Sequence, residues 1–301
     1  MSAAESPRAT APPPRARLRA LIDSPRLSFL MEAHDGLSAR IAEAEGFEGI
    51  WASGLSMATA LGLRDSDEAT WSQLLDVVEY MTEAVSVPVL VDGDTGYGNF
   101  NTARRFARAA ERIGAAGICL EDKVFPKMNS FVGDRHQLAD LHEFTARLYA
   151  CREAVSDADF TIVARTEALI AGQGMPEALK RAEAYREAGA DAIFIHSRRA
   201  DADEIARFAA EWGGRLPLVI SPTTYATTPT EDFRAIGVST VLWANHSMRA
   251  AVGAMRTVCR RIRAEESVHG VDAGIAAVSE VFDLLDYAEL EDTERRLMGR
   301  R

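Results

Sequence analysis

Residues 87–92 read Val-Pro-Val-Leu-Val-Asp, and residues 192–196 read Ala-Ile-Phe-Ile-His. Both stretches are apolar without alternation, and both end in a polar side chain. Strands that other elements cover on both faces have this pattern, whereas strands with one face in solvent alternate between apolar and polar residues. The two stretches therefore predict buried strands of a parallel sheet.

Six further stretches of this kind complete a repeating pattern along the chain. The predicted strands are residues 27–31, 49–52, 87–92, 117–121, 160–165, 192–196, 216–221 and 240–245. Segments with helical spacing of apolar residues lie between them, at residues 38–44, 71–85, 101–113, 141–154, 176–188, 202–212 and 229–236. Eight such strand–helix units in about 250 residues predict a (β/α)8 barrel. A doubly wound sheet is the alternative, although such sheets usually have five or six strands.

The chain continues beyond what one barrel needs. Helical spacing extends over residues 247–263 and 273–285, where one apolar stripe is formed by Val278, Val281, Phe282 and Leu285. We expect this surplus apolar helix to cover the barrel or to pack on another subunit. The predicted parts are a disordered N-terminal tail over residues 1–18, a catalytic barrel over residues 19–264 and a helical extension over residues 265–301.

Charge and composition limit the classes of function. The chain has 34 Lys and Arg residues against 45 Asp and Glu residues, a net charge of −11. Such a protein repels polyanions, so nucleic acid is not an expected partner, and an anionic substrate would need a local cluster of cations. No apolar run approaches the roughly 18–20 residues of a membrane-spanning helix. The three cysteines form no CxxC pair, which favours a reducing cytoplasm.

Polar side chains follow several of the predicted strands at their carboxyl ends, where barrels of this kind build their active sites. The segments are Trp-Ala-Ser-Gly-Leu at 51–55, Asp-Gly-Asp-Thr-Gly at 92–96, Glu-Asp-Lys at 121–123, Arg-Thr-Glu at 165–167 and His-Ser-Arg at 196–198. Because all strands run in parallel, these segments are predicted to meet at one rim of the barrel.

Three carboxylates at adjacent strand ends, Asp92, Asp94 and Glu121, form a candidate metal site. They are hard oxygen ligands, and no pair of His or Cys residues stands near them at ligand spacing. Such a set favours Mg²⁺, with Mn²⁺ possible, over zinc. The alternative is that Asp-Gly-Asp-Thr-Gly is only a turn, since Asp and Gly favour turns in any protein.

Other residues at the rim allow two interpretations each. Arg165 closes an apolar strand, and a guanidinium there requires either a bound anion or an ion pair, for which Glu167 and Glu121 are the candidate partners. His196 is equally compatible with a catalytic role and with a hydrogen-bonded core position. The backbone N–H groups around Ser53 could stabilise an oxyanion, but so could those of any tight turn.

The run Glu-Asp-Lys-Val-Phe-Pro-Lys-Met-Asn-Ser at 121–130 leaves the fourth strand as a polar loop long enough to cover the mouth of the barrel. Together with residues 51–55, Leu-Arg-Asp-Ser at 63–66 and Asp-Gly-Asp-Thr-Gly-Tyr-Gly-Asn at 92–99, it resembles the phosphoenolpyruvate mutases of the isocitrate lyase superfamily, from about residue 19 to about residue 263. The lyases of that superfamily have a cysteine in the sequence Lys-Lys-Cys-Gly-His of this loop. Here the loop reads Lys-Met-Asn-Ser at 127–130, which disfavours a carbon–carbon lyase.

The resemblance implies a (β/α)8 barrel whose last helix is exchanged between the subunits of a homodimer, often within a homotetramer. It also implies roles for single residues. Asp92 would bind Mg²⁺ directly, with Asp94, Glu121 and Asp65 acting mostly through water. The pyruvyl part of the substrate would lie against Trp51, Ser53, Gly54 and Leu55, the phosphoryl group would be held by Asn129, Ser130, Arg165 and His196, and Lys127 would belong to the gate over the site.

The implied reaction is the interconversion of phosphoenolpyruvate and phosphonopyruvate by a dissociative phosphoryl transfer, with an aspartyl-phosphate on Asp65 as the alternative route. A phosphonopyruvate decarboxylase would be the downstream partner. The related phosphonopyruvate hydrolases are the main alternative function. They resemble versions with Thr at the position of Asn129, which favours the mutase, whereas Arg198 resembles the hydrolase. A barrel that binds metal and an organic acid without turnover is a third possibility.

Overall fold

A computed structural model describes residues 12–130 and 136–299 of the chain. The described residues divide into two compact units, the first ending at Asn245 and the second beginning at His246. The division falls before the predicted boundary at residue 264. Residues 1–11 of the predicted N-terminal tail lie outside the described residues.

The first unit is a closed barrel of eight parallel strands, in which each strand pairs with its neighbours in sequence and β1 pairs with β8. The strands are β1 (Ser28–Ala33), β2 (Gly49–Ala52), β3 (Val89–Asp92), β4 (Gly117–Glu121), β5 (Thr161–Thr166), β6 (Ala192–Ile195), β7 (Leu218–Ile220) and β8 (Val238–Trp243). Each overlaps one of the predicted strands. The predicted (β/α)8 barrel is therefore confirmed, and the doubly wound alternative is wrong.

Nine helices of the described residues belong to this unit, and most of them connect one strand to the next. They are α1 (Pro14–Asp23), α2 (Gly36–Ala44), α3 (Gly54–Ala60), α4 (Trp71–Ala84), α5 (Phe100–Arg112), α6 (Leu141–Ala154), α7 (Gly174–Glu187), α8 (Asp203–Trp212) and α9 (Thr230–Ala235). Their apolar faces and the outward-facing strand residues form the larger of two hydrophobic clusters. This arrangement explains why the strands are apolar on both faces.

The smaller cluster fills the barrel interior with inward-facing side chains that include Leu30, Trp51 and Phe194. Two residues of α1, Leu18 and Ile22, belong to the same cluster and are fully buried. The prediction of a disordered tail is therefore wrong for residues 14–18. Leu18 and Ile22 stand one helical turn apart and so share a face, but the surrounding Pro and Arg residues hide that pattern in the sequence.

Helix α3 begins at Gly54, directly after β2, where we expected only a turn. The Ser53 side chain caps it by accepting a hydrogen bond from the backbone N–H of Ser56, at 3.4 Å. The helix has seven residues and is too short to show periodicity in the sequence. Its first turn places residues 53–55 beside the carboxyl end of β3, where they contribute to the candidate site.

The second unit contains α10 (His246–Glu265), a 3-10 turn (Asp272–Gly274), α11 (Val278–Leu284) and α12 (Tyr287–Met298). The predicted helix over residues 273–285 is interrupted, because the backbone is extended at Ile275. No residue of α10 is buried, and Val278 of the apolar stripe is 67% exposed. No helix in the described part of the chain is both long enough and apolar enough to cross a membrane.

Candidate active site

The carboxyl ends of the strands surround a cavity of about 550 Å³, including the part that is open to solvent. Every predicted site residue lines this cavity except Gly54 and Asp94. Those that line it are Trp51, Ser53, Leu55, Asp65, Asp92, Glu121, Lys127, Asn129, Ser130, Arg165 and His196. The structure therefore brings together residues that are far apart in sequence, from Trp51 to His196, because the parallel strands all end at the same rim.

Gly54 and Asp94 lie directly behind the cavity wall and contact Asp92. The backbone N–H of Gly54 donates to Asp92 Oδ2 at 3.1 Å, and that of Asp94 donates to Asp92 Oδ1 at 3.3 Å. A Cβ atom on Gly54 would lie 3.0 Å from Asp94 Oδ1 and 3.1 Å from Asp92 Oδ2. The absence of a side chain at Gly54 thus allows the two carboxylates to lie close to α3.

Lys127 lies inside the acidic part of the cavity. Its Nζ atom forms an ion pair with Asp65 Oδ1 at 2.8 Å and a second, closer one with Asp94. Burial would lower the pKa of Lys127, but Asp94 and Asp65 raise it well above its usual value. Lys127 is therefore a permanent cation that partly neutralises these carboxylates.

The remaining charges leave the site with an excess of acid. Five carboxylates, those of Asp65, Asp92, Asp94, Glu121 and Glu167, surround or directly back the cavity, against the three cations of Lys123, Lys127 and Arg165. One carboxylate oxygen, Glu121 Oε1, is buried without a hydrogen-bond partner. Burial raises the pKa of Asp92, because too little positive charge compensates its carboxylate.

This donor set fits a divalent cation. A buried carboxylate oxygen without a hydrogen-bond partner and the excess of two carboxylates over cations are what a hard cation would satisfy. In the part of the chain that the structure describes, however, no three His, Cys, Asp or Glu residues already have the geometry of a metal site. Lys127 lies between two of the candidate ligands, so metal binding would require its ammonium group to move.

Arg165 lines the cavity and is oriented by carboxylates. Its Nε atom lies 2.6 Å from Glu167 Oε1 and 3.3 Å from Glu121 Oε2. Its Nη2 atom lies 3.0 Å from His196 Nδ1 and 3.3 Å from Ser130 Oγ. The expected ion pair and the expected position in the cavity are thus both present.

His196 is buried and contacts both partners of that ion pair. Its Nδ1 atom lies 2.9 Å from Glu167 Oε1. Burial lowers the pKa of His196, although Glu167 opposes the effect. Burial alone would raise the pKa of Glu167, but Arg165, His196 and Lys123 lower it well below its usual value. At neutral pH the site therefore holds an ionised Glu167 beside a predominantly neutral imidazole.

Residues 123–130 lie across the mouth of the cavity, and we call them the gate segment. Lys127 and Ser130 are buried, whereas Val124, Phe125 and Met128 are exposed. Ser130 Oγ donates to Glu167 Oε2 at 2.8 Å and accepts a hydrogen bond from Lys123 Nζ. The segment thus presents its polar side chains to the cavity and its apolar ones to the outside.

Besides the ion pair of Lys127 with Asp65, two hydrogen bonds join the gate segment to the turn between α3 and α4. The side-chain amide of Asn129 donates to Asp65 Oδ2, and the backbone N–H of Lys127 donates to Asp67 Oδ2. At the other end of the segment, Arg198 Nη2 donates to the Ser130 carbonyl at 2.7 Å. Asp67 was absent from the predicted site, because nothing in its spacing marks it as facing the gate.

Several further residues line the cavity without having been predicted to do so. They are Lys123, Phe194, Ser221, Thr223, Leu242, Ala244 and Asn245. Ser221 and Asn245 end the predicted seventh and eighth strands, so the strand-end rule could have identified them. Phe194 and Leu242 face inward one position below the rim, and only the register of the barrel reveals this.

Comparisons with known proteins agree with this geometry. Residues 18–263 match the family described as phosphoenolpyruvate phosphomutase. The phosphoenolpyruvate phosphomutase of Streptomyces hygroscopicus is 59% identical over 293 residues, which cover 97% of this chain and 94% of that protein. The solved structure of the phosphoenolpyruvate phosphomutase from Streptomyces platensis subsp. rosaceus has a TM-score of 0.92 and 42% identity, over 94% of this chain and 99% of that one. A phosphonopyruvate hydrolase solved with oxalate and Mg²⁺ has a TM-score of 0.89 and 39% identity, over 95% of this chain and 99% of that one.

Proposed function

Because the chain belongs to the phosphoenolpyruvate phosphomutase family, we propose that it interconverts phosphoenolpyruvate and phosphonopyruvate. The observation that carries the proposal is the position of Asn129, whose amide lies inside the cavity with Asp65, Ser130 and Arg165. The sequence likeness to a phosphonopyruvate hydrolase is lower, at 41% against 59% for the phosphomutase of Streptomyces hygroscopicus. The function of an organic-acid lyase is disfavoured, because no cysteine stands in the gate segment.

The reaction is an isomerisation in which no atom enters or leaves. The bond between phosphorus and the enol oxygen breaks, and the electron pair at carbon three of the resulting enolate forms the bond to phosphorus. Phosphoryl transfer of this kind has a loose, metaphosphate-like transition state, so catalysis consists mainly of positioning and charge stabilisation. A strong nucleophile is not needed for it.

We propose Mg²⁺ as the cofactor, with Mn²⁺ as a substitute, held by Asp92 and, mainly through water, by Asp94, Glu121 and Asp65. The orphaned Glu121 Oε1 atom and the excess of carboxylates support this assignment. The bound cation would supply charge neutralisation for the trianionic substrate and for the enolate oxygen. Gly54 would serve the metal site rather than the substrate, because its N–H already donates to Asp92.

The phosphoryl group is proposed to lie against Arg165, His196, Asn129 and Ser130. Arg165 lines the cavity, and Glu167 and Glu121 hold its Nε atom on the edge of the guanidinium that also carries Nη2. His196 lies at that same edge, at 3.0 Å. A planar cation fixed in this way can donate to phosphoryl oxygens without reorganising during the transfer.

The pyruvyl end of the substrate is proposed to lie against Trp51, Ser53 and Leu55, which line the opposite part of the cavity wall formed by β2 and α3. Backbone N–H groups in the first turn of α3 would stabilise the carboxylate and enolate oxygens. Because the N–H groups of Ser53 and Gly54 already donate to the Ala33 carbonyl and to Asp92 Oδ2, the backbone N–H of Leu55 carries this role.

Asp65 is proposed to orient Asn129 and Lys127 instead of acting as a nucleophile. Its two oxygens are already occupied, one by Lys127 Nζ and the other by the Asn129 amide. Burial would raise the pKa of Asp65, but Lys127 and Asn129 lower it below its usual value. A carboxylate stabilised in this way is a weak nucleophile, which favours the dissociative route.

Exclusion of water is the second requirement, because water would convert the phosphoryl group into orthophosphate. The gate segment covers the mouth, and its own residues Lys127 and Ser130 are buried. Closed sites of this kind prevent competing hydrolysis. The gate segment therefore decides between mutase and hydrolase behaviour in this proposal.

We further propose that the chain is cytoplasmic, that its domains divide near residue 264 and that a phosphonopyruvate decarboxylase consumes its product. We also propose that it forms a homodimer or homotetramer. The support for assembly is the second unit, where α10 has no buried residue and Phe282 and Leu285 of the apolar stripe are exposed. Exchange of the last barrel helix between subunits would cover such surfaces. Light scattering of the purified protein tests the oligomeric state, and a monomer would refute the proposed assembly.

The proposed activity is tested by incubating the purified chain with phosphonopyruvate and Mg²⁺ and coupling any phosphoenolpyruvate to pyruvate kinase and lactate dehydrogenase. We expect NADH absorbance to fall at a rate proportional to the amount of the chain added. Because pyruvate kinase itself requires Mg²⁺, metal dependence is tested on the uncoupled reaction by phosphorus NMR, which EDTA should stop and added Mg²⁺ should restore. A parallel assay for orthophosphate distinguishes hydrolysis. Orthophosphate as the main product would show that the chain is a phosphonopyruvate hydrolase. The sequence His-Ser-Arg at 196–198 resembles that of the hydrolases.

A further inference from the structure

The turn between α3 and α4 contacts the gate segment through two acidic residues in different ways. Asp65 binds gate side chains, namely the ammonium of Lys127 and the amide of Asn129. Asp67, two residues further on, binds the gate backbone, because its Oδ2 atom accepts the N–H of Lys127. The same short turn therefore holds one gate residue by both its main chain and its side chain.

Asp67 adopts a conformation that a non-glycine residue rarely takes. Its φ angle is +57°, in the left-handed region, and its Oδ1 atom is buried without a hydrogen-bond partner among the described residues. Both features cost free energy. The surrounding structure must compensate for these two costs. The hydrogen bond that Asp67 Oδ2 accepts from the backbone N–H of Lys127 is a polar interaction that contributes to this compensation.

The two contacts differ in what becomes of them during the proposed reaction. The side chain of Asn129 must turn to the phosphoryl group, and that of Lys127 must move away from the metal ligands. Both side chains therefore give up their bonds to Asp65 during the reaction. The backbone N–H of Lys127 has no such task. The hydrogen bond to Asp67 can persist while the side chains change partners.

We propose that Asp67 is a positioning residue that keeps the backbone of the gate segment over the cavity during phosphoryl transfer. The inference rests on the proposed function, since it assigns to Asp67 the exclusion of water from that reaction. Asp67 touches neither substrate nor metal in this account. It acts through the main chain at Lys127, and thereby on the placement of Asn129.

Three substitutions separate the hydrogen bond from the backbone conformation and the charge. Asp67→Gly removes the acceptor but accepts a φ of +57° without strain. Asp67→Asn keeps an oxygen acceptor, tolerates the left-handed conformation and removes the charge. Ser66→Gly makes the same kind of backbone change at the preceding residue, and no side-chain bond of Ser66 is lost.

The measurement is the time course of phosphonopyruvate conversion with Mg²⁺, recording kcat, KM and the fraction of phosphorus released as orthophosphate. Asp67→Gly should lower kcat by up to about 100-fold, as small misplacements of catalytic groups do, and raise the orthophosphate fraction. Asp67→Asn and Ser66→Gly should stay close to wild type in both. A residue that only stabilises the fold would lower the melting temperature and leave the partition between products unchanged.

Two results would overturn the proposal while leaving the proposed function intact: an Asp67→Gly protein with wild-type kcat and partition, or an Asp67→Asn protein as impaired as Asp67→Gly. Absence of phosphoenolpyruvate formation by the wild-type protein would instead reject the function. If Asp67→Gly does not fold, amide hydrogen exchange on the wild-type protein still decides. The peptide containing Lys127 should exchange slowly, and fast exchange at that amide would contradict the account.

Discussion

The side-chain amide of Asn129 donates a hydrogen bond to Asp65 Oδ2, which joins the gate segment to the turn before α4 inside the cavity. In the proposed reaction this amide donates to the phosphoryl group. We predict that Asn129→Ala lowers kcat by about 10²- to 10³-fold, the usual effect of removing one donor that stabilises developing charge. The adjacent exposed residue offers the control, Met128→Ala, which should retain activity. An Asn129→Ala enzyme with a near wild-type rate would remove Asn129 from the site.

Asp92 lines the cavity, and its carboxylate accepts hydrogen bonds from the backbone N–H groups of Gly54 and Asp94. We predict that Asp92→Asn, which preserves shape but removes the charge, weakens Mg²⁺ binding by about 100-fold or more, since even changes behind a ligand cost about 10- to 100-fold. Calorimetric titration of Mg²⁺ in the presence of oxalate measures it. The exposed Asp76 provides the control Asp76→Asn. Equal affinity in the two variants would contradict the assignment of Asp92.

Gly54 is predicted to be essential to the metal site for steric reasons. Its added Cβ would lie 3.0 Å from Asp94 Oδ1 and 3.1 Å from Asp92 Oδ2, closer than ordinary contacts. Gly54→Ala should therefore displace these carboxylates and reduce Mg²⁺ affinity while the barrel stays folded. Gly253→Ala in α10 is the matched control, because a Cβ there meets nothing within 4 Å. Unchanged Mg²⁺ affinity in Gly54→Ala would show that the two carboxylates do not bind the cation as a pair.

Glu167 should make the protein sensitive to acid. Burial favours its protonated form, but Arg165, His196 and Lys123 outweigh this and hold its pKa well below the ordinary value of 4.5. A carboxylate with a lowered pKa stabilises the folded state above its unfolded pKa, and this contribution is lost as pH falls through the folded value. We expect the free energy of unfolding to decline from about pH 4.5 downward.

The variant Glu167→Gln isolates this contribution. At pH 7 it should be less stable than wild type by about 3–5 kcal/mol, the usual cost of breaking a buried ion pair. Its stability should also depend less on pH below 4.5. Urea unfolding at pH 7 and at pH 4 measures both, with the exposed Glu187→Gln as control. The same acid dependence in Glu167→Gln and wild type would assign that dependence to other carboxylates.

The sequence predicts the barrel well because its signal is long and repeated. Each strand is covered on both faces, so apolar runs such as residues 87–92 and 192–196 are unambiguous. Elements without such a repeat are missed. Helix α3 has only seven residues, and α1 buries just Leu18 and Ile22 on a helix with three arginines.

The sequence predicts most of the side chains that line the cavity but not their contacts. Strand ends converge by topology, which places Asp92, Glu121 and Arg165 together without any knowledge of side-chain geometry. The sequence does not reveal that Lys127 lies between Asp65 and Asp94, or that Asp67 binds the gate backbone. Such relations depend on how a long loop folds over the barrel, and no periodic pattern encodes that path.

The most direct test of the account is phosphorus NMR of the purified protein with phosphonopyruvate and Mg²⁺, begun from this side because the enol ester is the more stable isomer. The account predicts that the phosphonate signal declines while the phosphoenolpyruvate signal grows in equal amount, with little orthophosphate. Orthophosphate growing in place of phosphoenolpyruvate would contradict the claim that the closed gate segment directs the phosphoryl group between oxygen and carbon, and an unchanged spectrum would contradict the proposed reaction altogether.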